Sequence, residues 1–305
     1  MRYWATRLAD SLFALWSMVT LVFLVTRLLG DPAVLLLPPG STEAALADLR
    51  SSLGLDRSLL EQYASFLLHL LRGDFGTSYQ FGRPALDVVL ERVPATLLLA
   101  GSGVLLGLVV GTIAGTIAAF RRGTVVELLV MVSALIGQAT PSFWLGILLI
   151  LLFAVDLGWL PSSGYGSPAN LVLPTVSIAV VIGASVTRLL RSSILDVLGE
   201  DYVRTAQAKG LAPSTILTWH VGRNALIPVV TMVAILMGEL LGGAVVTETI
   251  FSWPGVGRMI IQAIENKDFP VVQAGVTIIA AMFILINLLI DLLYGLLDPR
   301  IRFER

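Results

Sequence analysis

Cysteine is absent from this 305-residue chain. That excludes disulfides, thiol catalysis and cysteine-based metal sites. Histidine is almost absent: His69 and His220 lie far apart, and neither sits in a metal-binding motif. No metal site built by this chain alone is expected. Charge is scarce as well, at 13% of residues against roughly a quarter in soluble domains. A net charge of −1 offers no basis for binding nucleic acid. The G-x-x-x-x-G-K-[ST] phosphate loop is missing too, so the chain does not bind ATP by that route.

What is abundant is apolar. Hydrophobic residues make up 56% of the chain and the mean hydropathy is +0.87. They are gathered in long blocks, the pattern of a multi-span membrane protein. Six spans are expected, at about 9–29, 95–120, 127–156, 171–190, 225–247 and 273–297. The third is interrupted by Pro141, and the second is uncharged and rich in glycine. The run Ser11–Thr26 has no small-residue cleavage site after it, so it reads as a retained helix rather than a signal peptide.

The short connections set an expected orientation. Arg2 and Arg7, the Arg121–Arg122 turn, the loop holding Arg191, Arg204, Lys209 and Arg223, and the terminal Arg300, Arg302 and Arg305 fall on one side of six alternating spans. The positive-inside rule makes that side the cytoplasm and places both termini there. Residues 1–29 then form the N-terminus and first span, 30–93 an extracytoplasmic helical insertion, 94–297 the remaining core, and 298–305 a cytoplasmic tail. Two helices are expected in the insertion. One has Ser41 as N-cap and ends near Gly54; the other carries Leu59, Tyr63, Phe66, Leu67 and Leu70 on one stripe and stops at Gly73.

Between the fourth and fifth apolar blocks lies "DVLGEDYVRTAQAKGLAPSTILTWHVGRNALIP", a loop at about 198–224 that is too long for a plain connector. Its Ala, Arg, Gln and Lys content favours a short helix. Gly210 suits a left-handed C-cap, Pro213 prevents continuation, and a second helix is expected after Ser214, with Pro228 marking entry to the fifth span. Small residues at Ala206 and Ala208 would let another surface come close.

This stretch resembles the cytoplasmic-loop motif of ABC importer permeases of the dipeptide, oligopeptide and nickel family. The likeness extends through "GDP" (30–32), "LGLD" (53–56), "GDFGTSY" (73–79), "PATLLLA" (94–100), "TPSFWLG" (140–146), "LPSSGYG" (160–166), "TETIFSWPGVGR" (247–258) and "LDPRIR" (297–302). Their order and spacing fit the B-type membrane subunit. The resemblance implies an all-α type I permease fold of six transmembrane helices with a small helical insertion after the first. It implies a non-catalytic subunit, with ATP and Mg held by two ATPase partners, a homologous second permease and an extracytoplasmic binding protein. It also implies an ATPase-coupling role for Asp201, Arg204, Thr205, Ala206, Ala208, Lys209 and Gly210. Arg204, Thr205 and Ala206 stand where many importers have Glu-Ala-Ala. The implied cargo is di- or oligopeptides, with nickel chelates or glutathione as alternatives.

Ionisable groups at membrane depth are costly and mark paths or partners. Glu239 among glycines, Glu248 beside Phe251, Trp253 and Pro254, and the break at Pro141 are therefore candidates for path or gate. Asp291 reads as a structural group near the inner end. An intramembrane protease would need a histidine within the bundle, and a passive channel would not need the cationic loop helix.

Overall fold

The computed structural model describes residues 2–28, 32–37, 40–212 and 215–297. In chain order the helices are α1 (Arg2–Leu28), α2 (Pro32–Leu36), α3 (Glu43–Ser52), α4 (Leu59–Leu71), α5 (Ala85–Leu90), α6 (Val93–Phe120), α7 (Val125–Ala139), α8 (Ser142–Leu149), α9 (Pro168–Leu198), α10 (Asp201–Ala208), α11 (Arg223–Ile250), α12 (Val256–Glu265) and α13 (Phe269–Leu297). Two π-helical segments, Ile150–Asp156 after α8 and Ile216–Gly222 before α11, complete the order. Five helical stretches among the described residues are long and apolar enough to cross a membrane. A sixth crossing results if α7 and α8, bent by 103° at a short break, count as one span. Thr140 and Pro141 occupy that break, where proline removes a donor and crowds the preceding turn.

The chain divides into two compact units. The larger contains Thr96–Trp253 and Ile286–Arg305, and its organising feature is a glycine ladder. Gly103, Gly107, Gly111 and Gly115 recur every four residues along one face of α6, against α9. A Cβ at Gly103 would lie 2.5 Å from Ile178 Cγ2, and at Gly107 2.8 Å from Ile182 Cβ. At Gly111 it would lie 2.7 Å from the Gly183 carbonyl oxygen, and at Gly115 2.8 Å from that of Thr187. The α9 side answers with Gly183, whose Cβ would meet the Gly107 oxygen at 3.2 Å. Only hydrogen fits, so the two backbones pack directly, which is how helices gain dispersion energy where burial from water is not available. Thr187 Oγ1 donates within α9 to the Gly183 oxygen at 2.6 Å and approaches the Gly111 oxygen at 3.4 Å. Helix α9 starts at Pro168, with Asn170 Oδ1 accepting from Ser167 Oγ at 2.6 Å. It then runs unbroken to Leu198, eight residues beyond the expected end of the fourth span. The apolar face is carried past Arg188 and Arg191 by Leu190 and Ile194, which are buried.

The smaller unit contains Met1–Ala95 and Pro254–Leu285. Its apolar core joins Ala85, Val88 and Val89 of α5 to Val256, Met259, Ile260 and Ala263 of α12 and to Val271, Val272 and Ala274 of α13. Phe23 of α1 packs between Tyr63 and Phe66 of α4, at ring separations of 5.2 and 5.4 Å. The N-cap of α3 is Thr42, not Ser41: its side chain accepts from Ala45 N. Helix α4 opens on a Ser58–Glu61 capping box and stops at Gly73, whose φ is +72°. Leu59, expected on the packed stripe of α4, is 62% exposed. The loop before α13 is tied by one carboxylate. Asp268, 1% exposed, accepts from Ser78 Oγ at 2.5 Å, Tyr79 N at 3.1 Å and Gln80 N at 3.2 Å. Burial pushes the neighbouring Tyr79 phenol above its usual range, opposed by Arg27 and reinforced by Asp268.

Two substitutions on α6 test the ladder. Gly111→Leu should lower stability by about 2–3 kcal/mol through overpacking, and Gly101→Ala, with open space around it, should be neutral or stabilising by up to about 1 kcal/mol. Thermal unfolding of both variants in detergent reads the difference. Asp268→Ala removes one acceptor from three donors; at about 1 kcal/mol or more per lost bond, protease cleavage between Gly73 and Arg83 should accelerate at least roughly tenfold.

Candidate functional site: the exposed loop helix and its root

Helix α10 is two turns long and amphipathic. Val203 (0% exposed) and Ala206 (5% exposed) face the chain's own interior. Asp201, Arg204, Thr205, Ala208, Lys209 and Gly210 are exposed. Of the coupling residues expected from sequence, Ala206 alone is covered by the chain itself, so it seats the helix rather than lining its outer face. The Arg204–Asp201 pair, 3.4 Å apart with side chains 71% and 97% exposed, contributes little to stability and leaves both charges available. Thr205 Oγ1 donates to the Asp201 carbonyl at 2.9 Å. The helix ends as its sequence requires: Gly210, at φ +74°, adopts the left-handed conformation that other residues enter only at a cost. Gly210 N then donates to the Gln207 oxygen, and Leu211 N to that of Ala206. Pro213 and Ser214 lie outside the described residues.

The second helix of the loop is not an ordinary one. Residues Ile216–Gly222 are π-helical and run without a break into α11, so Pro228, expected at the entry, lies inside that helix. Two hydrogen bonds at Tyr202 fasten α10 to this root, and a third braces the root itself. The Tyr202 hydroxyl donates to the His220 carbonyl at 3.3 Å and accepts from Asn224 Nδ2 at 2.7 Å, while Asn224 Nδ2 also reaches the His220 carbonyl at 3.2 Å. A π-helical turn is a wider, under-wound segment that is often found at functional sites. Tyr202 and Asn224 were not singled out from sequence, although both lie within the quoted motif; their pairing depends on a fold-back that no local spacing encodes.

The other expected residues lie in the larger unit, except Pro254, which begins the second segment of the smaller one. Glu248 is 0% exposed, and its Oε1 accepts from Thr96 Oγ1 at 2.7 Å. Phe251 and Trp253 are each 1% exposed. Phe251 abuts Gly146 of α8, whose Cβ would stand 3.0 Å from the ring, and its carbonyl accepts from Gly164 N at 3.1 Å. Trp253 meets Tyr165 edge to face at 4.9 Å. Pro254 is half-buried, in the turn leading to α12. Pro141 stands at the α7–α8 break. Glu239 lies in α11, with its side chain outside the described residues, as does that of Asp291 in α13.

The larger unit thus carries an exposed short helix hydrogen-bonded to the root of a long span. The comparisons give the family: residues 107–303 match the model of the binding-protein-dependent transport system inner membrane component, and the chain belongs to that family. It is 40% identical over 305 residues to the glutathione transport system permease protein GsiC of Salmonella typhimurium, covering 100% of both chains. It is 38% identical over 310 residues to the probable peptide ABC transporter permease protein y4tP of Sinorhizobium fredii, covering 99% of each. The MetNI methionine ABC transporter, in an inward-facing conformation, shares the fold at a TM-score of 0.58 and 19% identity, across 69% of this chain and 96% of that one. The chain is thus the multi-pass membrane permease component of a bacterial ABC importer.

Tyr202→Phe removes the hydroxyl that links α10 to His220 and Asn224. At about 1 kcal/mol for the lost bonds, amide hydrogen exchange in α10 should speed up roughly fivefold, while exchange in α6 and α9 stays unchanged.

Proposed function

We propose that this permease forms half of the path for di- and oligopeptides, small peptides such as glutathione included, delivered by an extracytoplasmic binding protein. The observation that carries the coupling part is the outward face of α10. Asp201, Arg204, Thr205, Ala208, Lys209 and Gly210 form a compact exposed patch, and Tyr202 ties the patch to α11. In this reading an ATPase subunit grips the patch, and closure of the two ATPases moves α10, the π-helical root and α11 together. The partners are a homologous second permease, two ATPase subunits that bind ATP and Mg, and the binding protein. The absence of a phosphate-loop sequence supports a non-catalytic role for this chain. The arginine bias of the short connections supports a cytoplasmic α10 and cytoplasmic termini. The buried Glu248–Thr96 pair and the Phe251–Trp253 turn form a packed outer closure. The names of two relatives favour peptide-type cargo over nickel.

The test is cargo-stimulated ATP hydrolysis by the reconstituted complex. Stimulation by a peptide-loaded binding protein is expected. Stimulation by a nickel-loaded one alone would move the cargo to metal chelates and keep the mechanism. Gly210→Glu has open space for its side chain but carries left-handed strain of about 1–2 kcal/mol and a new charge on the gripped face. It should abolish stimulation while leaving membrane insertion intact; undiminished stimulation would rule out the docking role.

A further inference from the structure

Arg188 is an arginine inside a span. Helix α9 continues about 15 Å beyond it, to Leu198. Its neighbour Arg191, one turn on, pairs with Glu127 in the first turn of α7, close to the arginine-rich α6–α7 turn at 121–122. That pair marks the polar edge of the bundle. Arg188 reaches the other way. Its Nη1 donates to Gln138 Oε1, and Gln138 lies eleven residues after Glu127, about 16 Å further along α7.

The guanidinium is therefore held inward of the Arg191–Glu127 pair, at the last turn of α7, where the chain breaks at Thr140–Pro141. Both Arg188 and Gln138 are exposed. Among the described residues the partner of Arg188 is a neutral amide, not a carboxylate. An arginine costs several kcal/mol at this depth unless it faces water, a partner or an anion. The α7 C-terminus offsets part of that cost with its partial negative charge, and Gln138 orients the guanidinium without neutralising it. Helix α8 begins immediately after the break at Pro141, with no side-chain cap on its first N–H groups, so the polarity on that side is also positive.

We propose that Arg188, oriented by Gln138 at the α7–α8 break, is an anion-binding point on the transport path that receives a carboxylate of the cargo. The carboxylate part rests on the peptide reading above. Planar, bidentate recognition of carboxylate is what a guanidinium does best, and every unmodified peptide carries at least one such group.

The chain has no cysteine, so Gln138→Cys introduces its only thiol. In the complete complex, with partner subunits in a thiol-free background, this thiol is titrated with an anionic sulfonatoethyl and a cationic trimethylammonioethyl methanethiosulfonate. The anionic reagent should be favoured by about tenfold. Adding Arg188→Gln should abolish that preference, and Arg188→Lys should retain it. Ala139→Cys, one residue on, replaces Gln138→Cys if that variant fails to assemble.

A thiol inert to both reagents in every nucleotide state, or a rate ratio indifferent to Arg188, would overturn the site. A second arm measures peptide uptake. Arg188→Gln should raise KM roughly tenfold, and Arg188→Lys should restore it; equal uptake by all three would overturn the carboxylate role. If the unmodified complex shows no peptide-stimulated ATPase, the cargo reading fails. The thiol ratio, which needs no cargo, still decides the anion site.

Discussion

The direct backbone contact between α6 and α9 is the constraint on which the larger unit depends. Four glycines at four-residue spacing bring α6 so close that a methyl group at any of them would come within 2.8 Å of α9. In a bilayer there is little apolar transfer energy to hold helices together, and close packing takes over its role. With α6 seated, α9 is fixed along most of its length, and α9 in turn positions the elements that pack on it. Gly137 of α7 lies over Val180 and Ala184, and Gly146 of α8 lies between Phe251 and Ser177. The same device therefore recurs at three places on α9, each time at the cost of a side chain.

From that rigid spine the molecule extends two very different ends. At one, Glu248 is buried against Thr96, and Phe251 and Trp253 are sealed by Gly146 and Tyr165. That end is held by packing and a buried hydrogen bond, both short-ranged. At the other, α10 hangs on two buried side chains and the Tyr202–Asn224–His220 bonds. Few apolar contacts and neutral hydrogen bonds make a low-stability segment, which suits the docking role proposed for it. The π-helical turn below it fits the same logic, since such under-wound turns interrupt regular helices most often at functional sites.

Much of this was legible in the sequence. Long apolar blocks gave six spans, Pro141 gave the break, and Gly210 gave the end of the loop helix, because each rests on a local rule. Thr42 replaced Ser41 as a cap because two adjacent hydroxyl residues satisfy the same rule and only backbone geometry selects one. Helix α9 runs on to Leu198, past the span expected at about 171–190, because Leu190 and Ile194 carry its buried face onward. The glycine content of α6 was visible, but its meaning was not. Spacing reveals a face, and only the opposing backbone shows that the face is closed. Tyr202, Asn224, Arg188 and Gln138 escaped notice for a shared reason: each acts through a partner 18 or more residues away, and no local pattern records that pairing.

The two α9 arginines show how the same residue type is put to different ends by its partner. Arg191 meets Glu127 with side chains 25% and 13% exposed, and the two charges cancel. Such a pair fixes α7 against α9 and leaves little field beyond itself. Arg188, bonded to an amide, is equally well oriented but keeps its charge. Replacing Gln138 by glutamate would strengthen the bond and extinguish the field. A chain selected only for stability would prefer that glutamate, because a paired ion at depth is less costly than a lone one. Retaining the amide keeps a cation available at the point where the span is broken, so the arrangement is understandable as one that serves something passing by rather than the fold alone.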